Sequence, residues 1–544
     1  MLAEHTLSDK WNPNRLYVIQ VPLSTSFPGL YKSVHNHSCP TINSLNDDCL
    51  DMIFSHFNLI DLFYLTFVCK RWYHLCNDQI SRSKYFSTET FENVPIKWEK
   101  SQYMYPFPSN ESVLSVLHLT QANLKTLSLS NVPDLSAEDL SLCGDLLLNL
   151  RELELCGSFN PSPSMVQAIA CKFCPRLESL SLQSCHLEHL DLLLQNAAKL
   201  KYLSISGSEL DEETEEVFPV HECIPSDCPL TSICFYRFPK LHISSIDALL
   251  RSFSETLTYI NLSYTYIQDI AGMAPDLPQL PNIKIFIAPV DPISSGRNML
   301  CSPERSALMQ MQHSLGVVAM LKLMPNLQIL DLSNSNLITY AVANFVDVLV
   351  KHCPMLEELY LVSCFIPAKE FLSLKYLVHL KRLFLDHNQS NSTVPSFLLD
   401  FAYDYAATFR FIVNHVISHL KELQTFSLTN YQWVDCKRTI RCDDLVHFLR
   451  NAGPKFENIF LTAAKTEEHG KPYDFVTKAL SMCGELSKTI NINIENTLSY
   501  DIGKASTIMK YFDSIAPSYI QVKFSNYFEK KYALCDDYLK LPNF

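Results

Sequence analysis

Glycine, charge and long apolar runs are all scarce in this chain. Only 11 of its 544 residues are glycine, which leaves little of the backbone that cradles phosphate groups. Neither G-x-x-x-x-G-K-[ST], G-x-S-x-G nor H-E-x-x-H occurs. Nucleotide-handling, serine-hydrolase and zinc-protease chemistry thus lack their local signatures, and no catalytic residue, metal or cofactor is expected. Basic residues are the scarcer sign: 44 Lys and Arg against 57 Asp and Glu give a net charge of -13, the wrong polarity for neutralising phosphates. Nucleic acid and anionic membrane are therefore not expected as partners. No run of about 20 apolar residues occurs, and the first thirty residues lack a basic start leading into an apolar core, so neither a membrane span nor a signal peptide is expected. The expected location is cytoplasmic, nuclear or both. In that setting Asn391-Ser-Thr, which fits the glycosylation pattern, has no meaning.

Apolar material is abundant. At 47% hydrophobic and 19% charged, the chain has enough for more than one domain or for one elongated array. Its 19 cysteines are odd in number and spread along the whole length, which suits buried thiols better than a disulfide framework.

The densest apolar stretch is LNDDCLDMIFSHFNLIDLFYLTFVCKRW, residues 45–72. Asp47 and Asp48 stand where carboxylates favour a helix N-terminus, and Leu50, Ile53, Phe54 and Phe57 follow at i, i+3, i+4 and i+7. Asn58, with Asp61 three residues on, caps a second helix expected to run through Cys69, with Leu62, Leu65, Cys69 and Trp72 on one stripe and Phe63 and Phe67 on another. A helix apolar nearly all round needs cover on two sides, more than a unit of roughly 40 residues supplies. The cover is either the rest of the chain or a foreign surface.

The order Leu45, Asp48, Leu50, Ile53, Phe54, Phe57, Asp61, Leu62, Val68, Cys69, Lys70, Trp72 resembles an F-box, the module by which substrate receptors dock on the Skp-type adaptor of cullin ubiquitin ligases. Asn46 stands where that family usually has proline; asparagine is itself a good helix cap. The resemblance implies that Leu45, Leu50, Ile53, Phe54, Phe57, Leu62, Val68, Cys69 and Trp72 divide between the module's core and the adaptor surface.

A second pattern fills the rest of the chain. LKTLSL at Leu124 returns as LRELEL at Leu150, LESLSL at Leu177, LKYLSI at Leu200, LTSICF at Leu230 and LTYINL at Leu257, at spacings of 26, 27, 23, 30 and 27 residues. It recurs as LQILDL at Leu327, LEELYL at Leu356, LKRLFL at Leu380, LQTFSL at Leu423 and FENIFL at Phe456. A short strand has period two, so the last two apolar letters face inward and the letters between them outward. Met165 to Phe173 and Ala341 to His352 have helical spacing and run into Cys-Pro before the next strand phrase; cysteine also follows the strand at Cys156, Cys185 and Cys364. These features resemble the cysteine-containing leucine-rich repeat, which implies an α/β solenoid with a curved parallel sheet inside and helices outside. The organisation expected is an N-terminal segment at 1–41, an F-box at 42–82, a linker at 83–111, and repeats over 112–544 with insertions near 289–320 and 386–412 and a C-terminal cap. Within the repeats, 112–119 reads as the first convex helix, Ile283 to Phe286 as a degenerate frame, and TININ at 489–493 and YIQVKF at 519–524 as terminal strands.

Outward strand positions are the natural binding surface, and large aromatics there are the kind of residue that anchors protein partners. They are Glu152, Glu154, Tyr202, Tyr236, Tyr259, Asp331, Glu358, Tyr360, Arg382 and Phe384, with Phe460 further along. Their acidic complexion favours a basic target. Cys171, Cys174, Cys185 and His189 have zinc-like spacing, but the repeat pattern already requires cysteine before and after the strand. Lys70, Arg71 and Arg82 read as a solvated helix face. With the resemblance included, the expectation is a non-catalytic receptor that joins a target protein to a Skp-type adaptor and, through it, to cullin and RING subunits for ubiquitination and degradation. The alternative is a non-degradative repeat scaffold.

Overall fold

The computed structural model describes residues 42–88, 110–130, 135–156, 162–183, 190–206, 220–236, 238, 243–265, 276–290, 303–335, 342, 344–364, 366–386, 405–429, 442–463, 490–496 and 520–525. The chain divides at Ala197 into two compact units.

The first unit opens with α1 (Asp47–Phe54), α2 (Leu59–Leu65) and α3 (Lys70–Arg82). Local chemistry fixes their starts: Asn46 Oδ1 accepts the Cys49 N–H at 2.8 Å, and Asn58 Oδ1 accepts the Asp61 N–H at 2.8 Å. The single helix expected from Asn58 through Cys69 is instead broken. After Leu65 the N–H groups of Phe67 and Val68 turn back to Tyr64 and Leu65, the Thr66 hydroxyl bonds the Phe63 carbonyl at 2.6 Å, and Cys69, extended at φ -162°, becomes the N-cap of α3. A threonine that satisfies the last turn from its own side chain competes with helix continuation. Helix α4 (Asn110–Thr120) packs against α2 and α3 and brings fully buried Val113, Val116 and Leu117 to them. The chain itself thus supplies one of the two covers this module requires.

Four parallel strands follow in chain order: β1 (Tyr85–Ser87), β2 (Thr126–Ser130), β3 (Glu152–Cys156) and β4 (Ser179–Gln183). They alternate with α5 (Ala137–Leu146), α6 (Pro163–Lys172) and α7 (Leu190–Gln195). Ser136 and Asp139 form a reciprocal capping box on α5, and Ser162 with Pro163 starts α6. Leu127, Leu153 and Leu180 stand in register, as do Leu129, Leu155 and Leu182, and all six are buried. The residues read as a linker, 83–111, contain β1 and the first turn of α4, so only 89–109 separate them; those lie outside the described residues.

The second unit repeats the plan. Its strands are β5 (Tyr202–Ser206), β6 (Ser232–Tyr236), β7 (Tyr259–Asn261), β8 (Ile285–Ile287), β9 (Ile329–Asp331), β10 (Glu358–Tyr360), β11 (Arg382–Phe384), β12 (Thr425–Leu428), β13 (Asn458–Ala463), β14 (Ile490–Asn496) and β15 (Ile520–Ser525). All pair in parallel with the next in sequence. Between them run α8 (Val220–Cys223), α9 (Ile243–Ser252), α10 (Pro303–Leu321), α11 (Phe345–His352), a 3-10 segment over Ala368–Tyr376, α12 (Tyr405–His415) and α13 (Cys442–Asn451). Strand, turn and helix recurring in sequence order is the α/β solenoid of leucine-rich-repeat type. The degenerate frame at 283–286 contributes β8, and both C-terminal apolar phrases are strands. The stretches expected as insertions each contain a repeat helix, α10 and α12, while 291–302 and 387–404 lie outside the described residues.

Cysteine and threonine tie successive repeats together. Cys364 Sγ donates to the Leu332 carbonyl at 3.2 Å, and Thr265 Oγ1 donates to the Phe235 carbonyl at the same place one repeat earlier than its own strand. Before the strands, Cys228 Sγ donates to Leu200 O at 2.9 Å and Cys353 Sγ to Leu321 O at 3.5 Å. Burial pushes the thiols of Cys174 and Cys353 up to about 12, so they are inert donors rather than nucleophiles. Just before the Thr265, Ser335 and Cys364 positions stand Tyr264, Asn334 and Ser363, each left-handed at φ 58°, 65° and 56°.

One buried base makes the second unit acid-sensitive. His313 of α10 is 2% exposed and faces the Ala288 carbonyl at 3.4 Å; burial lowers its pKa to about 4. The unfolded chain therefore takes up a proton near pH 6.5 that the folded chain refuses until about pH 4. Stability is intact above pH 6.5 and is lost as pH falls toward 4. Lowering the pH from 7 to 5 is expected to cost about 2 kcal/mol through this residue, read as the part of the urea-midpoint shift that His313→Leu removes.

Candidate functional site

Three surfaces are candidates, and the first is the helical module. Leu50, Phe54, Leu62 and Trp72 form its interior, with the Phe54 and Trp72 rings edge to face at 5.0 Å. These four, expected to be shared between core and adaptor surface, belong to the core. Leu45 and Ile53 are half-buried, whereas Phe57, Val68 and Cys69 are exposed. The periodicity misses Met52 and Tyr64, and gives Phe67 no surface role: Met52 is 68% exposed and Tyr64 and Phe67 are also open to solvent. Phe67 was visible on the second apolar stripe, but Met52 stands alone on the far side of α1 and gave no signal.

Polar contacts hold this module rigid behind its exposed apolar side chains. Arg71 pairs with Asp47 at 2.6 Å and donates to the Leu45 carbonyl, while Gln79 donates to Asp51 Oδ1 at 2.8 Å, so α3 is bound to α1 at both ends. Arg82 pairs with Asp78 at 2.6 Å. The Arg71 and Arg82 charges are thus internally matched. Burial raises the Asp61 carboxyl, opposed by its bond from Asn58.

The second surface is the outward face of β2 to β4. Glu152 and Glu154 of β3 are half-buried there, among Thr126, Ser128, Ser179 and Ser181 in register on either side. Thr126 Oγ1 donates to Glu152 Oε2 at 2.7 Å, and Gln183 Nε2 donates to Glu154 Oε1 at 2.7 Å.

The third is the outward face of the second unit, where the expected row of solvent-facing contacts largely fails. Tyr202 and Tyr259 are 5% and 2% exposed, in a cluster with Cys234 and Ile287. Tyr360 and Phe384 stack at 4.7 Å and 12° and are buried too. Buried Asp331 accepts from the Ser333 backbone N–H at 2.9 Å and its hydroxyl at 2.6 Å. On a parallel sheet the neighbouring rows are close enough for large side chains to cover one another, which a single strand phrase does not reveal. Tyr236, Glu358 and Phe460 remain half-buried and Arg382 is exposed. Tyr360 Oη donates to Glu358 Oε2 at 2.8 Å, and Arg382 reaches the same oxygen at 3.5 Å. Burial, ahead of the Glu358 charge, raises the Tyr360 phenol and keeps it neutral.

Among the described residues no three His, Cys, Asp or Glu side chains are grouped to hold a metal ion. Cys171 and Cys174 stand on α6 and just after it, one exposed and one buried, while Cys185 and His189 lie outside the described residues. Among the described residues no helix is long and apolar enough to cross a membrane.

Residues 42–84 match the F-box domain. No curated protein matches the chain. Among solved structures it is similar to a chain of the yeast Rad7 and Elc1 complex, at 11% identity and a TM-score of 0.35, over 82% of this chain and 88% of that one.

Proposed function

We propose that the chain is the substrate-recognition subunit of an SCF-type ubiquitin ligase, with no catalytic step of its own. The helical module docks on a Skp-type adaptor, and through it on cullin and RING subunits. The repeats bind a target protein for ubiquitination and proteasomal degradation, in the cytoplasm, the nucleus or both. Tethering makes the meeting of target lysines with the ubiquitin-charged enzyme effectively intramolecular.

One observation carries this reading: the stretch that matches the F-box domain keeps Met52, Phe57, Tyr64, Phe67 and Val68 exposed after its own core and α4 are complete. At about 1.5–3 kcal/mol for each large apolar side chain removed from water, two of them supply more than a hundredfold in affinity. Met52→Asp combined with Val68→Asp is expected to weaken capture of a purified Skp-type adaptor at least a hundredfold with the thermal midpoint of the chain unchanged. Full-strength capture by that variant would refute the assignment. Degradation is checked separately, by whether the half-lives of bound proteins lengthen when residues 42–82 are deleted.

A further inference from the structure

We infer that the outward face of β2 to β4 seats an extended basic segment of the target, with two cationic side chains two residues apart on Glu152 and Glu154. This rests on the reading of the chain as a target receptor and adds the chemistry of what it receives.

Spacing is the first ground. Glu152 and Glu154 are on one face of one strand, so their Cα atoms are about 6.6 Å apart. An extended peptide repeats its own side chains at that interval, so Arg-x-Arg or Lys-x-Lys meets the two carboxylates in step.

Uncompensated charge is the second. Among the described residues neither glutamate forms an ion pair, and their partners, Thr126 and Gln183, are neutral. Arg151, the residue just before Glu152, is committed to Glu178 at 3.6 Å. Hydroxyls of Thr126, Ser128, Ser179 and Ser181 surround the carboxylates, so two long acidic side chains rise from a floor of short ones. Neutral donors aim such carboxylates without satisfying their charge, and an incoming guanidinium then forms short, charge-assisted bonds.

The third ground is independent of the acids. Ser130 lies on the same face, diagonal to Glu154, 3% exposed, and among the described residues its hydroxyl has no hydrogen-bond partner. Buried hydroxyls are nearly always paired, so this one points to a polar group brought from outside. A cationic N–H beside Glu154, donating to the Ser130 oxygen, meets that need; an apolar ligand does not, and an anionic one is opposed by Glu152 and Glu154.

The probe is a fluorescein-labelled twelve-residue Gly/Ser peptide with two arginines two positions apart, titrated against the full-length protein by anisotropy. Three comparisons accompany it: the same peptide with citrulline for both arginines, one with the arginines three positions apart, and the protein variant Glu152→Gln with Glu154→Gln. Binding of the first peptide is expected to weaken at least tenfold in each. No binding by the unaltered protein, or equal binding by the variant or by the citrulline peptide, overturns the proposal. Equal binding at the wider spacing overturns the matched interval. Because citrulline leaves the protein untouched, a folding defect in the variant does not blur the result. Adaptor capture by the same variant keeps the two ideas apart: it is retained if the seat alone is wrong, whereas failure of the unaltered chain to bind adaptor sinks the receptor reading and leaves the seat standing.

Discussion

With Asp in place of Leu50, the amides of α1, α2 and α3 are expected to lose hydrogen-exchange protection while β2 to β4 keep theirs. Leu50 is fully buried among Phe54, Leu62 and Trp72, so the change deletes a core side chain and forces a carboxylate into apolar surroundings. Together these cost about 3–5 kcal/mol, comparable to the whole stability of a small helical unit. Val68→Asp, at a position 53% exposed, is expected to cost less than about 0.5 kcal/mol. The pair distinguishes two routes to losing a partner. On the proposed reading, Leu50→Asp is expected to remove adaptor binding by melting the module, and Val68→Asp to weaken it by spoiling the surface. Equal protection in both variants would mean that Leu50 is not interior.

Asp386→Ala is expected to be the most damaging single change in the second unit, costing about 3–5 kcal/mol. The carboxylate is 1% exposed and accepts four bonds: from the Ser427 hydroxyl at 2.8 and 3.0 Å, from the Thr429 N–H at 2.6 Å and from the Thr429 hydroxyl at 2.7 Å. Alanine removes the acceptor that these three buried donors share. Asn, which keeps one acceptor oxygen, is expected to lose roughly half as much. Urea unfolding of the three proteins checks the order, and an Ala variant within 1 kcal/mol of the parent would show that water reaches this site.

Much of the fold was legible because the strand phrase encodes two independent things, a period and an interval. Leucine at the inward positions of LKTLSL, LRELEL and LESLSL is buried in register, and even Ile283 to Phe286 led to a strand. Helix starts were legible for the same reason: Asn46 and Asn58 cap by a rule local to three residues. The break after Leu65 was not, since Thr66 ends the helix through its side-chain hydroxyl, which bonds the Phe63 carbonyl and which apolar periodicity does not register. Nor was the fate of Tyr202, Tyr259, Tyr360 and Phe384, because burial on the outward face is decided by side chains from neighbouring repeats, Cys234 and Ile287 beside Tyr259 in one cluster and Phe384 against Tyr360 in the other. The module's surface was half legible. Phe57, Val68 and Cys69 came from the motif, while Met52 and Tyr64 needed the arrangement of the helices.

Within each unit, strand after strand takes its register from the one before it through the same pair of bonds: the N–H groups of Arg151 and Glu152 meet the Lys125 carbonyl, and those of Glu178 and Ser179 meet the Arg151 carbonyl. Nothing in that joint measures the length of chain between strands: the phrases at Leu124 and Leu150, 26 residues apart, and those at Leu200 and Leu230, 30 apart, are joined by the same pair of bonds. Such a molecule is open to revision. A connecting loop can lengthen or shorten without shifting any leucine from inside to outside, so the surface between strands can change while the frame stays fixed.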